Sequence, residues 1–250
     1  MVQNWLAGII TGRLSKALDT EVSIKKVSFD LFNSLNLEGA LIRDKQKDTL
    51  LYAGQLKVRI TDWFFLKVKA DLKFVGLEDA LIKTSRKDAV WNYQFIVDYF
   101  RSPATRKESG GIILNLKKLD LKNVHFIKND LWAGERIDIS MASFLLDAEN
   151  IDLPKNIFTI NDIAIDKPFV VIQGLTALRP DSLLKHNRPG IDTGLYFNNG
   201  NMILQIGKLA ISNGSLFLDK DAGRPSPYFD GNHIKLSKMN GKCTGINFVK

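Results

Sequence analysis

Along residues 2 to 18 the apolar positions Val2, Trp5, Leu6, Ile9, Ile10, Leu14, Ala17 and Leu18 recur at steps of three and four, the spacing of one helical face. Gln3, Thr11, Arg13, Ser15 and Lys16 fall mostly on the other side. The pattern predicts an amphipathic helix over residues 1–20 that ends near Asp19 and Thr20, with Trp5, Leu6, Ile9 and Leu14 as its contact face. Such a helix either covers the open end of a sheet or lies on a membrane surface through Trp5 and Leu6.

After Thr20 the period changes from 3.6 to 2. Leu66, Val68, Ala70, Leu72 and Phe74 alternate with Lys67, Lys69, Asp71 and Lys73, which describes a strand with one apolar and one wet face. Leu56, Val58 and Ile60 alternate in the same way, as do Ile137, Ile139 and Met141. Turn-forming clusters separate these runs at Asn33-Ser34, Asp44 to Asp48, Ser109-Gly110-Gly111, Asn198 to Asn201 and Asn213-Gly214. The reading is a succession of antiparallel hairpins.

A repeat runs through them, in which two apolar-x-apolar pairs flank a two-residue polar step. It occurs as Leu114-Asn-Leu116-Lys-Lys-Leu119-Asp-Leu121, Phe158-Thr-Ile160-Asn-Asp-Ile163-Ala-Ile165 and Leu204-Gln-Ile206-Gly-Lys-Leu209-Ala-Ile211, at spacings of 44 and 46 residues. Val22-Ser-Ile24-Lys-Lys-Val27-Ser-Phe29 has the same form. In a flat strand the step would throw the second pair onto the opposite face. A β-bulge there restores the phase and bends the strand, so bulges at one height in successive strands would curl a sheet into a trough. Two segments do not fit the array. Residues 91 to 100, rich in Trp, Tyr and Phe, read as a short helix on the trough or an aromatic strand, followed by a polar loop over 101–108; residues 179–194 read as a second long connection.

Composition adds limits. With 45% hydrophobic and 25% charged residues in 250, the chain can line a substantial apolar surface and is not of a disordered class. No run reaches the roughly 18 apolar residues of a spanning helix, and the start lacks the features of a secretory signal. Cys243 is the single cysteine, so neither an internal disulfide nor a cysteine metal site is expected. The net charge of +8 is concentrated in residues 1–125, where 21 Lys and Arg stand against 14 Asp and Glu. That bias suits phosphate-bearing partners or a solvated sheet face.

Candidate chemistry is sparse. His125, His186 and His233 lie far apart and outside any ligand spacing, and neither GxSxG nor GxxxxGK occurs. No catalytic residue, metal or cofactor is expected, and the chain reads as no enzyme. Nucleic acid is not an expected partner, because the aromatics share the apolar strand faces and do not interleave with Lys and Arg.

The segments Val2-Gln3-x-Trp5-Leu6-Ala7, Leu14-Ser15-x-x-Leu18-x-Thr20-Glu21-Val22-Ser23-Ile24, Asp30-x-Phe32-Asn33-Ser34-Leu35-x-Leu37-Glu38-Gly39 and Lys47-Asp48-Thr49-Leu50-Leu51-Tyr52-Ala53 together resemble the start of TamB-type proteins of the AsmA superfamily from Bacteroidetes. The match covers about the first hundred residues. The resemblance implies a long β groove with an apolar interior that bridges the inner and outer membranes and conducts phospholipids. It implies a periplasmic protein anchored in the inner membrane by a segment outside this chain, with an outer-membrane barrel protein as a further partner. On this view residues 21–250 are the membrane-proximal part of a longer β-groove.

The expected fold is therefore mainly β, an elongated curved antiparallel groove behind an N-terminal helix. The expected lipid-lining residues are Leu66, Val68, Leu72 and Phe74, then Ile137, Ile139 and Met141, then Leu204, Ile206, Leu209 and Ile211. Two other roles stay open: assembly of outer-membrane proteins by pairing with exposed sheet edges, and an inert periplasmic spacer.

Overall fold

A computed structural model of the chain describes residues 2–30, 34–60, 69–101, 111–152, 155–178, 201–220 and 226–248. The helix α1 (Val2–Leu18) opens the chain. The strands are β1 (Val22–Ser23), β2 (Lys26–Asp30), β3 (Ser34–Arg43), β4 (Thr49–Ile60) and β5 (Lys69–Arg86), then, beyond α2 (Gln94–Arg101), β6 (Gly111–Asp130), β7 (Glu135–Asp152), β8 (Ile157–Asp166), β9 (Phe169–Gly174), β10 (Ile203–Asp219) and β11 (His233–Phe248). All eleven strands belong to one long curved sheet, so the protein is mainly β. The path through it is β1-β3-β4-β5-β6-β7-β8-β10-β11, with β2 beside β3 and β9 between β7 and β10.

Most neighbours are antiparallel, but the sheet is mixed. β5 runs parallel to β6, and β8 and β9 run parallel to β10. Parallel neighbours need a crossover of a dozen or more residues where a hairpin needs two. The two segments that break the repeat are these crossovers: one carries α2, and the other includes the stretch 179–194, which lies outside the described residues. Of the two readings of residues 91–100, the helix is the one that forms, as α2 over Gln94–Arg101.

Each strand keeps its apolar side chains on one face even where alternation is interrupted. The interruption falls on a line that crosses the sheet. Lys26, Glu38, Gln55, Glu78, Lys122, Ser143, Asp166 and Ser212 pair one with the next from β2 to β10. Beside it Gly39, Asp79, Asn123, Lys167 and Asn213 take φ values of 63°, 53°, 48°, 49° and 53°. Glycine has no steric penalty there, and Asn and Asp bear the smallest one among side chains. Asn123 also donates its amide to Asp79 on the neighbouring strand. Leu37 and Ala40, Leu77 and Ala80, and Leu121 and Val124 flank this line, and each pair enters a single apolar cluster.

In β6, β8 and β10 the repeated polar step begins five residues before that line, and in the first occurrence its second residue, Lys26, stands on the line. In β8 the step adds one unpaired residue, Asn161, because Asp162 faces Asp147 while Ile160 faces Ala148. Ile160 and Ile163 consequently pack in one cluster, as do Leu204, Ile206 and Leu209. In β10 the step holds Gly207, where a Cβ would stand 2.6 Å from the Asn161 carbonyl oxygen; a larger residue would force the two strands apart. The sheet thus has two transverse lines of irregular residues, and both preserve the sidedness of the apolar face.

At the N-terminal end α1 closes the sheet. Ala7 and Ile10 join Val27, Leu35, Leu37 and Ala40 in a buried cluster, with Leu14 against it. Ile10 is 1% exposed and Val27 0%, so each contributes about 1.5–3 kcal/mol. Of the expected contact face, Leu14 packs as expected and Ile9 is half-buried outside the cluster. The Trp5 and Leu6 side chains lie outside the described residues. Ile9 and Ile10 are one helical step of 100° apart, and hydrophobicity alone does not choose between them. The helix ends at Asp19, whose φ is 49°. Lys45 donates to the Leu18 carbonyl at 3.3 Å and to the Asp19 carboxylate at 2.9 Å, which places a cation on the negative end of the helix dipole.

Candidate functional site

The strand register assembles the apolar positions into rows that run from one side of the sheet to the other. One row is Val27, Leu37, Leu56, Leu77, Leu121, Phe144, Ile165 and Ile211, each opposite the next. The adjacent row is Phe29, Leu35, Val58, Val75, Leu119, Leu146, Ile163 and Leu209. Beyond the left-handed line a third row comprises Ile42, Leu51, Ile82, Phe126, Ile139, Val170, Leu216 and Leu236. A surface built this way offers hydrocarbon at every strand and no charged position within these rows.

The expected lining residues distribute as follows. Ile137 faces Ile172 and Ile139 faces Val170, while Met141 packs in the middle cluster with Val124 and Phe144. Leu204, Ile206 and Leu209 form the third cluster with Ile163 and Ile246, and Ile211 sits between Ile165 and Gly241. Leu72 lies between Ile60 and Leu114. Leu66 and Val68 lie outside the described residues.

Phe74 is a correction. It faces Arg59 and Lys118, with the Arg59 guanidinium 5.6 Å from its ring centre, and it lines a polar concavity of about 490 Å3 with Lys57, Gly76 and Asp120. The register shifts between Leu72 and Phe74, so Lys73 is an unpaired bulge residue and strict alternation fails there. Val75, Leu77, Ala80 and Ile82 occupy the apolar face instead. Only the cross-strand register reveals this change of phase; Leu119, Leu121, Ile163 and Ile165, by contrast, already stood in the sequence repeat.

The connection between β5 and β6 holds α2 over the apolar face through polar contacts. Asn92 accepts from the Ser85 N–H at 2.9 Å and donates to Asp44 at 3.0 Å. Arg86 grips Asp130 with two hydrogen bonds of 2.7 and 2.8 Å and stacks on Trp91 at 4.6 Å. Burial raises the Asp130 carboxyl, but Arg86, the Ala133 N–H and Lys128 outweigh it and hold its pKa below the usual carboxylate range. Lys45 links the two helices, with its ammonium on Asp19 and 5.0 Å from the Phe95 ring centre.

On the opposite face, His125 meets Asp138 at 2.6 Å, and Asp230 at the β10–β11 turn accepts from the Ser226 and Asn232 N–H groups and from His233. Among the described residues no group of three His, Cys, Asp or Glu side chains is placed to hold a metal ion, and no helix is long and apolar enough to cross a membrane. No protein-family model and no curated protein matches this chain. The likeness to TamB-type proteins stands on the sequence motifs quoted above.

Proposed function

We propose that the chain is a non-enzymatic lipid conduit, in which phospholipid acyl chains lie along the apolar face while headgroups stay in water. The observation that supports this reading is the continuity of the apolar rows from β2 to β10. Burial of hydrocarbon is non-directional and contributes about 0.8 kcal/mol per methylene, so a uniform lining lets a chain slide without a preferred position. By the resemblance to TamB-type proteins, such a conduit would lie in the periplasm between an inner-membrane anchor and an outer-membrane partner.

A second reading is strand templating for outer-membrane proteins. It is favoured by β11, a 16-residue strand that pairs with β10 alone among the described residues. Photo-crosslinking amino acids at Ile163 and Leu209 trap phospholipid if the conduit reading holds. The same probe at Lys235 and Lys242 on β11 traps polypeptide if templating is the function, and the conduit reading is lost if Ile163 and Leu209 capture only protein.

A further inference from the structure

Between α2 and the sheet lies an apolar pocket of about 390 Å3, within the size range of ligand cavities. Leu50, Leu51, Ile82 and Phe126 form its floor, and Trp91 and Ile96 its roof. The two most polar lining side chains are engaged elsewhere. The Thr84 hydroxyl donates to the Ile127 carbonyl at 3.4 Å, and the Lys128 ammonium is held by Glu135 at 2.9 Å and Asp130 at 3.6 Å. That leaves the Tyr93 hydroxyl and the Trp91 indole N–H as polar side-chain groups for a water, whereas a well-held water makes about three hydrogen bonds. The pocket is open to solvent on one side, so water there gives up hydrogen bonds to stand against walls that offer mainly dispersion contacts. A hydrocarbon chain supplies those contacts and asks for no hydrogen bond.

The roof does not depend on the occupant. The Asn92 bonds to Ser85 and Asp44, and the Arg86 clamp on Asp130, lie beside the pocket and fix the segment that leads into α2. A site held open in this way avoids the ordering cost of closing around its ligand.

We infer that this pocket seats the end of one hydrocarbon chain, so that a lipid on the apolar face is held here and passed freely elsewhere. The inference rests on the conduit reading and adds to it a fixed position that a uniform lining lacks. The shared chemistry is an unbranched acyl chain, from a free fatty acid or from a phospholipid.

The test uses the full chain with Trp5, Trp63 and Trp132 each replaced by Phe, so that Trp91 is the sole tryptophan. Stearate brominated along its chain, kept below its micellar concentration, is titrated in one arm. Vesicles of phosphatidylcholine with brominated acyl chains are used in the other. Bromine quenches tryptophan on contact. Saturable quenching by stearate alone assigns the seat to a free acid, and quenching in both arms assigns it to acyl chains generally. In either case Ile96→Phe, which fills the roof side, weakens the apparent affinity by about tenfold with an unchanged circular dichroism spectrum. Thr84→Val, which keeps the wall apolar, retains the quenching. Quenching that never saturates, or that Ile96→Phe leaves unchanged, overturns the seat. If lipid still crosslinks at Ile163 and Leu209 in that event, the conduit reading survives without it; if lipid is absent there, the conduit reading fails by itself.

Discussion

The two ends of the sheet use the same kind of apolar face in different ways. Around β2 to β6 the face is largely covered: α1 packs on β1 and β2, α2 reaches β6 above its pocket, and Val27, Leu37, Leu50 and Ala53 are 0–4% exposed. Around β7 to β11 the buried apolar cluster is Ala148, Ile160 and Ile206 at 4–9%, while Leu236 is 44% exposed and Cys243 is also exposed. The rows are continuous between the two regions, so the difference arises from what lies on top of the sheet and not from the strands. The first region is a core that secures the fold and keeps one apolar pocket beneath α2, and in the second the same rows are more exposed among the described residues.

That comparison can be broken by mutation. The largest effect is expected for Ile10→Asp, which puts a charge into the helix-sealed cluster and costs several kcal/mol; a denaturant midpoint equal to that of the unaltered chain would contradict the sealing role. Next, Leu37→Ala is expected to cost about 2–5 kcal/mol in urea unfolding, whereas Leu209→Ala in the open region costs about 1 kcal/mol. Equal losses at the two sites would remove the distinction between core and surface.

The left-handed line sharpens the comparison, because it runs through both regions. Asn123→Val, with a β-branched residue at a φ of 48°, is expected to destabilise by about 1–2 kcal/mol, and Asn123→Gly to change stability little. Thermal unfolding of the two variants provides the check.

A great deal of this organisation could be read from the residues, and the exceptions have identifiable causes. The helical stripe of residues 2–18 and the change of period at Thr20 predict α1 and the strands that follow. The apolar-x-apolar repeats identify Leu204, Ile206, Leu209 and Ile211 as one-faced positions, and the irregular step at Gly207, which lies against Asn161 of β8, keeps the first three in one cluster. Direction is less visible: a strand has the same alternation whether its neighbour runs parallel or antiparallel, so β5 beside β6 reads like a hairpin. Phe74 departs from the alternation because an extra residue at Lys73 shifts the phase, and only the pairing partners Arg59 and Ile60 disclose it. The α2 roof depends on Asn92, Asp44, Arg86 and Asp130, which are distant in sequence and form no local motif.

The smallest effect concerns the exposed tip of the open region. Hydrogen bonds from the Ser226 N–H, His233 and the Asn232 N–H lower the Asp230 pKa to about 2. A depressed carboxylate contributes stability that is present above its unfolded pKa, about 3.9, and is lost as pH falls through the folded value. The β10–β11 turn is therefore expected to loosen between about pH 4 and 2, and Asp230→Asn to remove that dependence. Hydrogen exchange at Asn232 measures it.

The central claim is that the open apolar face carries the lipid and the opposite, charged face does not. It is tested most directly by phospholipid co-purified per chain for two folded variants, Ile163→Asp with Leu209→Asp, and Lys57→Gln with Lys122→Gln. The account predicts that the first pair loses most of its lipid, since charges stand where acyl chains lie, and that the second retains it, since exposed Lys offers only a screened attraction. Equal loss in both, or loss confined to the Lys variant, would contradict it.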